Sequence, residues 1–228
     1  SLSGVVGSEE VKVANTTLTG TMADEKAGEN KAVTVPAISL TGKDAGNYTV
    51  RPSGAVTVTI ARKNLTAAMI KLGTQHTYNG NEQGVAISSV MDGTAPLIAG
   101  GHDYSIVRGN TATDVGDNTL IIQGQGNYTG TASATWSLVA KDVTITPNAL
   151  SKTYGAADPA LTYTTSIDSD TALKGKFDAA KSGALSYTGT NVGAYIIGIG
   201  TLKAGNNFNL KLDTTAVFFT INQATPVI

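Results

Sequence analysis

No cysteine occurs among the 228 residues, and only two histidines, His76 and His102. Disulfides, thiolate metal centres, iron–sulfur clusters and cysteine nucleophiles are therefore excluded, and so is a His-rich metal site. Charged residues are scarce at 14 % and balance to a net charge of −1. Such a chain has no electrostatic footprint for nucleic acid or an anionic membrane. No apolar run approaches the roughly 20 residues that cross a bilayer, so no membrane insertion is expected of these residues. No charged and then apolar leader opens the chain. It starts at Ser1-Leu2-Ser3 in mid-pattern, as an excised piece would. Catalytic patterns are lacking as well: there is no G-x-S-x-G nucleophile turn and no glycine-rich phosphate loop. Asp24-Glu25 are adjacent acids that read as a solvated loop rather than two carboxylates facing across a cleft. No enzymatic activity is expected.

What is abundant is glycine, with 26 residues, in a chain that is 41 % hydrophobic and only 6 % aromatic. Weakly charged chains rich in Gly, Thr, Ala and Val make β-sheets with tight turns. The chain also repeats itself. A Tyr-containing start appears as Thr77-Tyr78-Asn79-Gly80 and Thr153-Tyr154-Gly155. A polar residue before Ala/Val-Gly appears as Lys26-Ala27-Gly28, Asp114-Val115-Gly116 and Asn191-Val192-Gly193. A glycine turn with an aromatic appears as Gly46-Asn47-Tyr48-Thr49, Gly126-Asn127-Tyr128-Thr129 and Gly205-Asn206-Asn207-Phe208-Asn209. The first mark leads the second by ~38 residues both times, longer than helical solenoid repeats, which favours divergent tandem domains. The boundaries that follow are 1–62 (a truncated β module), 63–140, 141–223, and 224–228 as the start of a further repeat, with Thr225–Ile228 as its first strand. Short polar junctions such as Ala140-Lys141-Asp142 favour a semi-rigid, elongated array.

Alternation of period two predicts strands over Ala55–Ile60, Ser133–Val139, Asp142–Thr146 and Ala216–Ile221. Asp170–Ser182 lacks a turn pair until Ser182-Gly183 and predicts a short helix, which would move the third module towards a β-grasp. The fold class is mostly β: small sandwich, Ig-like or β-grasp-like modules in tandem.

The third unit opens Lys152-Thr153-Tyr154-Gly155-Ala156-Ala157-Asp158-Pro159-Ala160-Leu161-Thr162-Tyr163. It continues through Gly189-Thr190-Asn191-Val192-Gly193-Ala194-Tyr195 and closes on Leu202 to Leu210. This resembles the MBG domain (mostly-β, glycine-rich) of large bacterial surface proteins. Leu2-Ser3-Gly4-Val5-Val6-Gly7 and Gly42-Lys43-Asp44-Ala45-Gly46-Asn47-Tyr48-Thr49-Val50 resemble the C-terminal part of a YDG domain, although the Tyr-Asp-Gly that names it is missing. The middle unit resembles Ig-like repeats of the same proteins more loosely. The resemblance implies a bacterial cell-surface or secreted, adhesin-like protein and transfers no catalytic residue.

The remaining candidates are binding groups. Asp114-Val115-Gly116-Asp117-Asn118 and Asp168-Ser169-Asp170 are the best calcium candidates, yet neither has the alternating acidic run of a calcium loop, and no cofactor is otherwise expected. Trp136 alternates with Ala134 and Leu138 and is expected in the core. A Lys–Asn isopeptide crosslink would replace disulfides as a staple, with no pair identifiable from sequence. The leading expectation is a non-catalytic stalk, extracellular and monomeric. The alternatives are a module that binds a host or environmental glycan or protein through the Asp92–Tyr104 loops, with His102, Asp103 and Tyr104 as contacts, or a spacer attached to a secreted enzyme.

Overall fold

A computed structural model describes residues 2–15, 17–51 and 54–227. The fold is mostly β, in many small sheets, with one α-helix among the described residues. Packing groups the chain into two units. One comprises Ser1–Thr66, Leu97–Ser105 and Ile122–Ala132, the other Ala67–Pro96, Ile106–Ile121 and Ser133–Ile228.

In the first unit, Thr21–Met22, Gly28–Thr34 and Val56–Ile60 form an antiparallel sheet. The last strand falls where the sequence predicts one, at Ala55–Ile60, but Val56 to Thr59 are all exposed, so the alternation there sorts no buried face. Met22, Val33 and Val56 are cross-strand partners and so share one face with Val58. That face is not closed over: Val56 is 49 % exposed, and no described residue of 1–62 is fully buried. The parallel pair Lys63–Asn64 with Tyr128–Thr129 completes the unit near the repeat's first junction.

In the second unit, Ile87–Asp92 pairs antiparallel with Ile70–Leu72 and with Ala95–Pro96. His76–Thr77 pairs parallel with the end of Thr131–Val139, a strand that begins among residues of the first unit. Trp136 is buried there as alternation requires, and its indole N–H donates to the Gly109 carbonyl at 2.7 Å. Gly109 has φ +79°, and a Cβ on it would lie 1.8 Å from the Thr119 carbonyl oxygen, so the turn that offers this acceptor admits only glycine.

Within the second unit, residues 141–222 are built on two three-stranded sheets. Lys141–Pro147 is central in one, antiparallel to Tyr163–Thr165 and parallel to Phe208–Leu212. Phe218–Asn222 is central in the other, parallel to Leu150–Thr153 and antiparallel to Gly193–Ile196. A central strand buries alternate residues, and Val143, Ile145, Phe219 and Ile221 are all fully buried. The predicted helix is present as Thr171–Ala180. Asp170 caps it, its carboxylate accepting from the Leu173 N–H at 3.0 Å. The helix buries Leu173 and Phe177, four residues apart on one face, and Phe177 meets Phe208 edge-on at 5.5 Å between ring centres. The helix ends at Lys181, whose backbone is extended. Residues 223–227 form no strand, and Ile228, the last residue of the strand expected there, lies outside the described residues.

Phe177 joins the helix to the sheet with no exposed surface to relax into. Phe177→Ala is expected to lower stability by about 3–5 kcal/mol, and Phe177→Leu by under about 1.5 kcal/mol. Denaturant midpoints of the two variants check this.

Candidate functional site

The three loop residues read as ligand contacts fall in different surroundings. His102 is 69 % exposed on its side chain, with Nδ1 3.0 Å from the Asp103 carboxylate. Asp103 is a turn former: its other carboxylate oxygen accepts from the Ile98 N–H at 2.8 Å, and its own N–H donates to the Ile98 carbonyl at 2.9 Å. Tyr104 is only 6 % exposed. The expectation that Tyr104 offers an open aromatic surface does not hold, because it packs as a core residue at the start of the strand Tyr104–Arg108. Burial also pushes its hydroxyl pKa upward. What remains at this loop is a shallow groove of about 240 Å³, lined by Lys26, Gly101, His102, Asp103, Gly126 and Asn127.

The carboxylates weighed for calcium are engaged locally. Asp117 accepts from the Ser137 hydroxyl, and Asp170 is the helix cap. Asp168 accepts from the Thr165 hydroxyl at 2.6 Å and from its N–H at 2.9 Å. Among the described residues no group of three or more His, Asp or Glu is arranged to hold a metal ion. Lysine, asparagine and aspartate do meet on one strand face, where Asp142 accepts from Asn209 at 2.7 Å and from Lys211. That cluster is exposed, and Asn209 and Lys211 belong to one strand.

The feature that does recur is a joint built by the third mark of the repeat. In the first unit, the Asn127 carbonyl accepts from the Lys63 N–H at 2.9 Å, and its side-chain Oδ1 accepts from the Ala27 N–H at 2.8 Å. In the second unit, the Asn207 carbonyl accepts from the Lys141 N–H at 3.0 Å, and its Oδ1 accepts from the Val115 N–H at 2.9 Å. Lys63 and Lys141 are the junctions read from the repeat. Ala27 and Val115 are the middle residues of its second mark. One asparagine therefore ties the start of its own stretch to a hairpin of the stretch before it, and the chain does so twice.

Local conformation aims both asparagines. Gly126, directly before Asn127, and Gly205, two residues before Asn207, have φ +58° and +66°. A Cβ on Gly126 would also lie 2.5 Å from the His102 carbonyl oxygen. The second joint carries two additions. The Asn207 amide donates to Asp114 at 2.9 Å, and Tyr78 of the first mark meets Phe208 edge-on at 5.3 Å. Sequence reading identified all three marks. It missed the partner of the asparagine, although the fixed order of the marks was the signal that could have found it. At residue 47 the pattern differs: Ala45–Asn47 is a 3-10 turn, and the Tyr48 hydroxyl accepts from the Val6 N–H at 3.0 Å and donates to Glu9.

Residues 1–57 match the model of the YDG domain, and residues 143–218 match that of the MBG domain (YGX type). Both resemblances read from the sequence are thus confirmed. Domains of these two types are found in surface, adhesin-like repeat regions and are typically non-catalytic. No curated protein and no solved structure matches the chain.

Two outcomes are expected of this chemistry. Asn207→Ala removes a half-exposed hydrogen-bonding side chain and is expected to cost about 1 kcal/mol in denaturant melts. Asn207→Asp places a carboxylate against Asp114 and is expected to be worse than Asn207→Ala at pH 7 and to recover in acid. Asn127→Asp, beside Lys26, is expected to be tolerated. The second outcome concerns acid. Hydrogen bonds hold several carboxyls below their ordinary value of 3.8: Thr165 acts on Asp168, Lys211 and Asn209 on Asp142, Lys152 and Tyr187 on Asp158, and Lys174 and Lys181 on Asp178. A carboxyl held low when folded contributes stability above its ordinary value and loses it as pH falls towards the folded one. The melting temperature is therefore expected to drop below about pH 4, with Asp168→Asn flattening part of that drop.

Proposed function

We propose that the chain is a non-catalytic repeat region of a bacterial cell-surface or secreted adhesin-like protein, a stalk of tandem modules at 1–62, 63–140 and 141–223. The observation that carries this reading is the joint, made at Lys63 by Asn127 and again at Lys141 by Asn207 with the same two hydrogen bonds. A joint that repeats with the sequence period fits a role in setting the geometry of successive modules. A single specific binding site would need no such repetition. The match of one end to a YDG domain and of the other to an MBG domain supports the same reading. The mechanism is geometric: small cores follow one another through junctions that are themselves hydrogen-bonded, in a chain with little charge.

The alternative in which the middle module binds a glycan or host protein keeps only the groove beside His102, since Tyr104 is buried. Small-angle X-ray scattering tests the stalk. A compact globule of this length has a radius of gyration of about 17 Å. Three modules end to end, each about 40 Å long, give roughly twice that. The larger value is the expected one, and a value near 17 Å sinks the stalk.

A further inference from the structure

The C-terminal stretch carries the receiving half of the joint, and none of the described residues is seated on it. Its first and second marks match those of the middle stretch in detail. Thr77 pairs with Val139 and Thr153 with Asn222, both parallel. The next N–H along, Tyr78 in one case and Tyr154 in the other, donates at 2.8 Å to the carbonyl of Val139 and of Asn222 respectively. Gly116 and Gly193 of the second marks share φ values of +152° and +157°. The two sites differ in what covers them. Tyr78 is 4 % exposed against Phe208, whereas Tyr154 is 51 % exposed. Val115 is half-buried with its N–H bonded to Asn207, whereas Val192 is 47 % exposed and its N–H meets no acceptor among the described residues. Asn191 stands where Asp114 takes the amide of Asn207.

We infer that Tyr154, Asn191 and Val192 form a docking face for a further module of this same kind, following Asn222 in the same chain and presenting its own Gly-Asn-aromatic turn. The turn's asparagine accepts from the Val192 N–H, and its aromatic ring covers Tyr154. Chain direction selects a module that follows over one that associates from outside. Lys141, which pairs with the Asn207 carbonyl, lies two residues beyond Val139, and Ala224 lies two beyond Asn222. The backbone thus leaves the last strand at the place where the joint is made. The inference rests on the module reading above, but the two fail separately: a compact radius of gyration counts against the stalk, whereas the experiment below addresses the face alone.

The test appends a second copy of residues 141–223 after Gln223 of the whole chain and follows amide hydrogen exchange residue by residue. In the original chain the Val115 amide is expected to exchange slowly and Val192 fast. In the extended chain Val192 is expected to slow about tenfold or more, towards Val115. Nitration of Tyr154 by tetranitromethane is expected to fall towards that of Tyr78. Asn207→Ala in the appended copy alone is expected to restore fast exchange at Val192 and leave Val115 slow. The inference is overturned if Val192 and Tyr154 are as open in the extended chain as in the original, whether the appended copy is folded or exchanges as an unfolded chain. Protection of Val192 that rises with the concentration of the original chain also overturns it, in favour of a second copy as the occupant.

Discussion

An asparagine that uses its backbone carbonyl on one strand and its side-chain oxygen on another is the constraint from which the organisation of this chain follows. Asn127 and Asn207 each accept one N–H from the junction that begins their own stretch and one from a hairpin of the stretch before. Neither bond alone is worth more than about 1 kcal/mol in water. Their effect lies in geometry. The carbonyl bond fixes the asparagine's backbone to the junction strand, and its side-chain oxygen then meets the second N–H. Two N–H groups that would otherwise need water are satisfied by one residue, which is why an amide side chain stands at this position in both joints.

The interior is distributed unevenly around these joints. The stretch from Lys141 to Asn222 buries Val143, Ile145, Phe177, Phe219 and Ile221 fully between two small sheets and a helix. The described residues before Lys63 form one three-stranded and one two-stranded sheet and no α-helix, and Met22, Val56 and Val58 keep an open face. A sheet with one uncovered apolar face gains little from burial. The order of residues 1–62 then leans more on hydrogen bonds such as those of Tyr48 and on the tie from Asn127 to Ala27.

Alternation made the strands legible in the sequence, because a half-buried strand has no other way to sort its side chains. It placed Trp136 correctly for the same reason. The helix at Thr171–Ala180 was legible from the absence of turn pairs. Tyr104 was misread because it was treated as the end of a loop. It is the first residue of a strand, where a tyrosine ring is drawn into the core. The asparagine ties were out of reach of any local pattern, since they join residues 92 and 100 positions apart. Periodicity speaks for a residue's own element, and only the lockstep of the three marks carried information across that distance.

Strand direction bears on this arrangement in a chain without cysteine. In the stretch from Lys141 to Asn222, the first strand is parallel to Phe208–Leu212 and the last is parallel to Leu150–Thr153. Tension applied to the two ends of this stretch would enter at Lys141 and leave at Asn222. A strand drawn along its own axis past a parallel neighbour strains its ladder of hydrogen bonds together, whereas a hairpin pulled open at its end loses them one at a time. The barrier to forced opening, rather than equilibrium stability, then governs lifetime under load. The carbonyl of Asn207 bonds the first N–H of that first strand. The joint and the first strand therefore begin at the same residue, so the hydrogen bond that makes the joint also anchors the strand through which such tension would pass.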